Sequence, residues 1–264
     1  MMNQIGTVES LWRYPVKSMR GEELETIFAG FAGVYCDRLF AFYDPAGMKG
    51  LPFLTAREQR RMLAFRPHFR EPEKAAAPPN LGEAEKLGPG LTPLYAAPAD
   101  LMLDVETPEG ARLAIDDPAL IERLGEGIDS AHQPSLRRSD RAMTDCRPIS
   151  LISVQSVRQL AAETGAAVDK RQFRANIYLD LTNAVGFEED KLVGRTLRIG
   201  TRATLTIVER DGRCMIITLD PETAEKRPAV LKTVAQMHEG KAGVYAVVLH
   251  EGSINRGDAV VLLD

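Results

Sequence analysis

Short alternations of apolar and polar residues run through residues 5–65 and predict a β-rich opening. In residues 38–43, Leu39, Ala41 and Tyr43 fall on one face of a strand, and Phe40 and Phe42 fall on the other. Another strand is predicted over residues 23–27. Glycines and prolines, which are typical of the turns in a sandwich or barrel, separate these strands: Pro15, Gly21, Gly30, Gly33, Pro45 and Gly47.

Residues 71–98 differ in composition from the preceding segment, with six prolines, six alanines and almost no β-branched residues. Such a stretch buries little apolar area, so we expect a long surface excursion or a partly mobile loop. The β pattern resumes at residues 101–105, turns at residues 107–110 and returns through residues 111–115, which predicts a hairpin. The excursion is therefore an insertion within the first domain rather than its end.

A helix follows the hairpin, and we place the end of the first domain, residues 1–126, just after it. Asp117 is a suitable N-cap and Pro118 suits the first helical position. Gly125 is a residue type that commonly ends a helix, so we place the end of this helix there. The polar segment 127–144 contains Arg137, Arg138 and Arg141, and we interpret it as a solvated connection into a second domain, residues 127–264.

The second half alternates strands with two helices. Ser153 ends a predicted strand over residues 145–153 and is placed to cap a helix that stops at Gly165. The cap position alone explains Ser153, but unpaired N–H groups at a helix N-terminus also favour anions, so a ligand role stays open. Further strands are predicted at residues 170–178, 196–199, 203–208, 243–249 and 259–263, and a helix at 228–237. Arg174 and Asn176 are two apart and would share one strand face, where they could bind an anionic group.

Composition and charge argue against several classes of protein and of metal site. The 264 residues carry a net charge of −4 and are 44% hydrophobic, which indicates a globular protein and argues against a general binder of nucleic acid or anionic membrane. The cysteines Cys36, Cys146 and Cys214 form no C-x-x-C pair, so a disulfide framework, structural zinc or an iron–sulfur cluster is unsupported. No leader pattern or membrane-spanning apolar run is present, and we expect a soluble cytoplasmic protein.

Cys214 lies at the centre of the segment E-R-D-G-R-C-M-I-I-T-L-D-P, residues 209–221. Thiolate is the form that binds metals and attacks electrophiles, and a neighbouring guanidinium such as that of Arg213 favours it. Free cysteine is, however, among the most buried residue types and usually behaves as a small hydrophobe. From these residues alone, the second interpretation has more weight.

Four sequence clusters, in order, resemble the MOSC domain family. They are Y-P-V-K-S at residues 14–18, F-R-A-N-I at 173–177 where the family commonly has F-R-P-N-I, R-C-M-I-I-T-L-D-P at 213–221, and the ending G-x-I-x-x-G-D at 252–258. The resemblance spans residues 5–263. It implies a mainly β protein with some α (α+β), in which an N-terminal β-barrel-like domain precedes a MOSC β-barrel domain with a few helices.

The resemblance also implies the molybdenum cofactor, Mo-molybdopterin, with Cys214 as metal ligand and catalytic residue. The cofactor-binding residues that it implies are Lys17, Ser18, Arg38, Ser153, Arg174, Asn176, Arg213, Thr218 and Asp220. Similarity to the amidoxime-reducing members implies reduction of small N-hydroxylated compounds. Because no cysteine-rich ferredoxin module follows, electrons would come from an external ferredoxin- or cytochrome-type protein with its reductase. The family is also associated with pyridoxal phosphate binding.

We assign no cofactor-binding or catalytic role to the remaining arginines and histidines. Arg57, Arg60 and Arg61 fit a solvated basic face. Three other functions stay open: a cofactor carrier or sulfur-transfer protein that uses Cys214 without turnover, a thiol hydrolase, and a structural β-module. A hydrolase needs a histidine base near the thiol, and no recognisable motif ties one to Cys214 among His68, His132, His238 and His250.

Overall fold

The computed structural model describes residues 3–86 and 94–263. The strands, in chain order, are β1 (Asn3–Arg13), β2 (Glu22–Leu24), β3 (Thr26–Gly30), β4 (Gly33–Val34), β5 (Phe40–Met48), β6 (Leu51–Phe53), β7 (Arg66–Phe69), β8 (Leu103–Glu106), β9 (Arg112–Ala114), β10 (Ser135–Arg138), β11 (Ile149–Ser153), β12 (Ile177–Leu181), β13 (Thr196–Ile199), β14 (Ala203–Gly212), β15 (Lys241–His250), β16 (Gly252–Asn255) and β17 (Ala259–Leu262). The α-helices are α1 (Pro72–Ala76), α2 (Leu81–Lys86), α3 (Pro118–Gly125), α4 (Val154–Thr164) and α5 (Ala229–Met237). Short 3-10 helices lie at Arg60–Ala64, Pro98–Leu101, Lys170–Phe173, Glu188–Leu192 and Met215–Thr218.

A closed barrel of seven strands forms the larger body of the molecule. Its strands follow the order β12, β11, β15, β14, β13, β17 and β1, and β1 closes the barrel by pairing antiparallel with β12. Gly6 permits this closure, because a Cβ there would lie 2.4 Å from the carbonyl oxygen of Asp180. Alternate apolar side chains of these strands fill the interior, as a small barrel requires.

Three smaller sheets and a second, aromatic-rich core surround one side of this barrel. The sheets have the orders β10-β5-β6, β7-β8-β9 and β16-β3-β4. The core contains buried side chains such as Tyr35, Phe40 and Phe42. Strands from the two halves of the chain pair with one another, since β3 pairs with β16 and β5 pairs with β10. The predicted domain division at residues 126 and 127 stays a prediction.

The predicted fold class, mainly β with α, is confirmed. The hairpin pairs β8 with β9 in antiparallel register, and Asp117 caps α3 by accepting a hydrogen bond from the Ala119 amide at 2.9 Å. Gly165 takes the left-handed conformation that ends α4, with φ of 64°. These features depend on neighbouring residues, which the sequence displays directly.

Other predictions require correction. The expected strand over residues 23–27 is divided between β2 and β3. The segment interpreted as a solvated connection contains β10, because Arg138 and its neighbours pair with β5. Within the expected excursion 71–98, α1 and α2 form and Ala75 and Ala96 are buried, while residues 87–93 lie outside the described residues.

A search of the described helices finds none with the length and apolar character needed to cross a membrane.

Candidate functional site

One surface cavity contains most of the predicted site residues. Seven of them line it: Lys17, Ser18, Arg38, Arg174, Asn176, Arg213 and Cys214. Ser153, Thr218 and Asp220 are not in the lining. The remaining walls come from Thr144, Asp145, Arg147, Ser150, Gln172, Phe173, Asp211, Gly212, Ile216, Ile217 and Tyr245. The barrel and the N-terminal segments therefore meet at this cavity.

Cys214 follows the end of β14 and occupies the N-cap position of the 3-10 helix Met215–Thr218. This position holds the thiol at the cavity wall, partly exposed and free of any disulfide. The Nη2 atom of Arg57 donates a hydrogen bond to the Cys214 sulfur at 3.3 Å. The sulfur is therefore in direct contact with a guanidinium.

Arg57 is the main functional residue that the sequence interpretation missed. The expectation of a solvated basic face is wrong for this residue, because its guanidinium also contacts the Asp145 carboxylate at 3.3 Å. Burial works to lower the pKa of Arg57, but the negative charges of Cys214 and Asp145 outweigh it and raise the pKa. Arg57 therefore stays cationic beside the thiol.

Arg213, the guanidinium expected to neighbour the thiol, is engaged elsewhere. Its Nε donates to the carbonyl oxygen of Ala242 at 2.7 Å, and its Nη1 donates to that of Phe173 at 2.8 Å. An ion pair at 2.8 Å joins it to Asp211. Arg213 thus braces the cavity wall, and the contact to the sulfur comes from Arg57.

Lys17, which is buried, forms an ion pair with the more exposed Asp145 in the cavity lining. The lysine also donates to the carbonyl oxygen of Met143 at 2.9 Å, and its Nζ lies 5.6 Å from the centroid of the Phe53 ring. Burial lowers the pKa of Lys17. Burial would raise the pKa of Asp145, but Lys17 and Arg57 outweigh it and lower the pKa. Asp145 consequently links the lysine to the guanidinium that contacts Cys214.

Three cavity residues have a left-handed backbone that non-glycine residues seldom adopt. The φ angles are 65° at Ser18, 44° at Arg38 and 52° at Arg174. Such conformations cost free energy and persist where the surrounding structure holds them. Their concentration at one cavity is typical of a functional site.

Arg38 and Arg174 both lie against the ring of Tyr14, at 4.4 Å and 4.3 Å from its centroid. Arg38 contacts the Asp37 carboxylate at 2.5 Å and donates to the Arg174 carbonyl oxygen at 3.0 Å. Burial works to lower the pKa of Arg38, but Asp37 outweighs it and raises the pKa.

Arg174 lacks such a carboxylate. Its Nη2 atom is enclosed and has no hydrogen-bond partner in the part of the chain that the structure describes. Burial lowers the pKa of Arg174 to about 10. An enclosed, unpaired guanidinium is unfavourable unless an anion joins it. This atom is the clearest sign of a missing anionic partner.

The expected strand face shared by Arg174 and Asn176 is wrong. Residues 170–173 form a 3-10 helix, Arg174 ends it in the left-handed region, and β12 begins only at Ile177. The Asn176 amide accepts from the Ser150 N–H at 3.2 Å and donates to the Trp12 carbonyl oxygen at 3.3 Å. Asn176 therefore ties β1 to β11, and Arg174 alone presents a free donor atom.

Ser153 is a buried helix cap bound to the buried carboxylate of Glu189. Its hydroxyl accepts from the Ser156 N–H at 3.1 Å and donates to Glu189 Oε2 at 2.7 Å. Ser156 donates its own hydroxyl to Glu189 Oε1 at 2.6 Å. Ser153 is therefore occupied on both sides by protein groups.

Substitution of Ser153 by alanine should lower the free energy of unfolding by about 1–3 kcal/mol, because α4 loses its cap and buried Glu189 loses a donor. Cofactor content per chain should not change. Urea unfolding together with elemental analysis checks both expectations. Loss of metal at unchanged stability would instead assign Ser153 to the cofactor.

Thr218 and Asp220 stabilise the segment after Cys214. Thr218 donates to the carbonyl oxygen of Met215 at 2.7 Å. Asp220 accepts from the amides of Glu222 at 2.9 Å and Thr223 at 3.0 Å. Both shape the loop that carries the thiol, without reaching the cavity lining.

Asp211 is a buried carboxyl on the cavity wall, 1% exposed, that sequence reasoning did not single out. Burial raises its pKa to about 6. The only advance signal was its position beside Gly212 in the segment around Cys214.

The raised pKa of Asp211 makes stability depend on pH. Between about pH 4 and pH 6 the folded protein keeps a proton that the unfolded chain has lost, so the free energy of unfolding falls as pH rises through this window. The change from this group is about 2 kcal/mol between about pH 4.5 and pH 7. In cofactor-free protein, Asp211→Asn should remove that part of the change in urea unfolding. An equal pH dependence in both proteins would contradict the expectation.

In residues 3–86 and 94–263, no three side chains of His, Cys, Asp and Glu come together as a metal site.

Comparison with known proteins gives two family matches and several relatives. The family described as "MOSC N-terminal beta barrel domain" matches residues 5–79, and "MOSC domain" matches residues 138–261. The human "Mitochondrial amidoxime-reducing component 1" is 26% identical over 314 residues, covering 100% of this chain and 85% of the relative. "Molybdenum cofactor sulfurase" of Drosophila mojavensis is 32% identical over 117 residues, covering 42% of this chain and 14% of the relative.

Among solved structures, the YUAD protein from Bacillus subtilis is similar with a TM-score of 0.48 and 12% identity, covering 99% of this chain and 98% of that one. The two family matches together contain the ten predicted site residues, and they also contain Arg57, Asp145 and Asp211.

Proposed function

We propose, from the premise that the chain belongs to the MOSC-domain proteins, that it binds the molybdenum cofactor in the cavity beside Cys214 and reduces N-hydroxylated compounds. Its relatives include an amidoxime-reducing component and a molybdenum cofactor sulfurase. The first of these is similar along the whole chain, which supports the reductase over the sulfur-transfer alternative.

The unpaired guanidinium of Arg174 is the observation that carries this proposal. It lies in a cavity that also contains Lys17 and Arg38, so the wall has cationic groups in excess of what Asp37 and Asp145 neutralise nearby. Phosphate and pterin oxygens accept hydrogen bonds from such donors. A pterin cofactor with a phosphate group fits this donor set.

Cys214 fits the metal end of the same cofactor. Soft thiolate ligands suit molybdenum, whose remaining sulfur ligands belong to the cofactor itself. Arg57 donates a hydrogen bond to the sulfur at 3.3 Å. Asp145 and Lys17 hold Arg57 in turn, so the thiolate is oriented by a chain of ion pairs.

When bound, the cofactor supplies a redox-active metal that exchanges two electrons with the substrate. In the proposed reaction the N–O bond of an amidoxime breaks, two electrons and two protons are taken up, and an amidine and water leave. The chain's own part is to bind and orient the cofactor and to keep the thiolate in place. Electrons come from a separate ferredoxin- or cytochrome-type protein with its reductase.

The test uses the full chain purified from a host that makes the molybdenum cofactor. Molybdenum per chain is measured by elemental analysis, and benzamidoxime reduction is followed with reduced benzyl viologen as the electron donor. We expect nearly one molybdenum per chain and formation of benzamidine.

Two other results would overturn parts of the proposal. Molybdenum without reduction would favour the carrier or sulfur-transfer function. Absence of molybdenum under these conditions would refute the cofactor site itself. A cytoplasmic location and an association with pyridoxal phosphate stay predictions.

A further inference from the structure

A second cavity lies beside the proposed cofactor site. The two cavities share Gln172, Arg174 and Ile216 as a common wall. The second cavity is lined by Trp12, Tyr14, Arg20, Gly21, Glu23, Leu63, Arg171, Gln172, Arg174, Ile216, Leu219 and Pro221. The proposed reaction leaves most of these residues without a role, including Trp12, Arg20 and Arg171.

One side of this second cavity is aromatic and apolar. Trp12 and Tyr14 stack with ring centroids 6.5 Å apart and planes inclined by 24°. The indole N–H of Trp12 has no hydrogen-bond partner among the described residues, although the side chain is only 8% exposed. Indole N–H groups that are buried usually find an acceptor. The cavity thus has a ring surface on this side, and the enclosed indole N–H beside it has no partner among the described residues.

The other side is rich in arginine. The lining contains Arg20, Arg171 and Arg174 together with Glu23, and Arg171 is also ion-paired with Asp169 at 2.6 Å. Burial lowers the pKa of Arg20, and the positive charges of Arg66 and Arg171 lower it further. An anion placed here would relieve the crowding of like charges.

Glu222 shows which anion fits. One oxygen of its carboxylate contacts Arg20 and the other contacts Arg171, so the group bridges both guanidiniums. The Glu222 side chain is 47% exposed. Glu222 comes directly after Pro221, which is the last residue of the cavity lining along the chain. A carboxylate between two guanidiniums is a favourable bidentate arrangement. An exposed glutamate can be displaced by a ligand that brings the same group.

We propose that this second cavity binds a small aromatic carboxylate. The ring lies against Trp12 and the apolar wall, and the carboxylate takes the position between Arg20 and Arg171 that Glu222 occupies in the free protein. Glu222 accordingly competes with the ligand. The site shares Gln172, Arg174 and Ile216 with the proposed cofactor cavity. The contacts proposed for the ligand, to Trp12, Arg20 and Arg171, do not involve the cofactor, so a titration of the cofactor-free protein tests them separately from the proposed reaction.

The chain contains a single tryptophan, which makes Trp12 a site-specific probe. With the full chain labelled at the indole nitrogen, the one indole N–H resonance is followed during titration with benzoate. We expect a saturable shift with benzoate at constant ionic strength. Benzamide keeps the ring without the charge and acetate keeps the charge without the ring, so both should bind at least about tenfold more weakly.

Two variants test the charge arrangement. Glu222→Gln removes the competing carboxylate at an exposed position and should tighten benzoate binding about tenfold, whereas Arg20→Gln should weaken it about tenfold. Thermal unfolding of each variant verifies that it is folded. The proposal is refuted if benzoate leaves the indole resonance unmoved at millimolar concentration, if benzamide binds equally well, or if Glu222→Gln leaves the affinity unchanged.

Discussion

Replacement of Cys214 by serine is expected to lower the rate of benzamidoxime reduction at least about 100-fold and to reduce the molybdenum content. Loss of groups that only support metal ligands already costs about 10–100-fold, and a hydroxyl is a poor substitute for a soft thiolate ligand. The measurement is viologen-driven turnover per chain, together with molybdenum by elemental analysis.

Cys146 provides a matched control for this experiment, because it is a second free and exposed cysteine close to the same segment. Its sulfur contacts Glu209 at 3.6 Å and is not in the cavity lining. Cys146→Ser should retain both metal and turnover. Equal metal and equal turnover in wild type and Cys214→Ser would exclude Cys214 as an essential ligand.

Substitution of Arg174 by glutamine is expected to act in opposite directions on the cofactor-free and cofactor-bound protein. Without cofactor, the wild-type fold bears an unpaired buried charge whose pKa is lowered to about 10. Below that pH this charge costs up to about 3 kcal/mol, and the variant should be more stable by up to this amount. With cofactor, loss of a charge-assisted hydrogen bond should weaken retention of the cofactor about 100-fold.

Two measurements check this reversal: urea unfolding of cofactor-free protein, and the rate of cofactor loss from the loaded protein. Arg60→Gln serves as a control, because Arg60 is an exposed arginine outside the cavity lining. A cofactor-free Arg174→Gln protein that is less stable than wild type would show that Arg174 has a structural rather than a binding role.

The left-handed backbone at Ser18, Arg38 and Arg174 illustrates a limit of sequence interpretation. A glycine in the sequence suggests a left-handed backbone, because glycine adopts that conformation without strain. A serine or an arginine carries no such indication. The strand predicted through Arg174 and Asn176 was wrong for this reason. Tertiary contacts hold Arg174 out of the extended region that its neighbours suggested.

Contacts between distant segments were equally invisible. Arg57 and Cys214 are separated by 157 positions, and Lys17 and Asp145 by 128. Arg57 stands beside other basic residues, and a local pattern of that kind is typical of a solvated surface. Only the approach of the N-terminal segments to the barrel brings its guanidinium to the thiol.

The resemblance to the MOSC family, rather than the residues around it, made Cys214 the candidate metal ligand. By itself, the sequence determined the β-rich class and the caps at Asp117 and Ser153. Such features depend on residue type and short spacing, both of which can be recognised directly in the sequence. The tertiary structure decided which guanidinium contacts the sulfur, which arginine stays unpaired, and which serine is occupied by Glu189. These contacts join side chains that are distant along the chain, such as Arg57 and Cys214 or Ser153 and Glu189, and such separations carry no local signal.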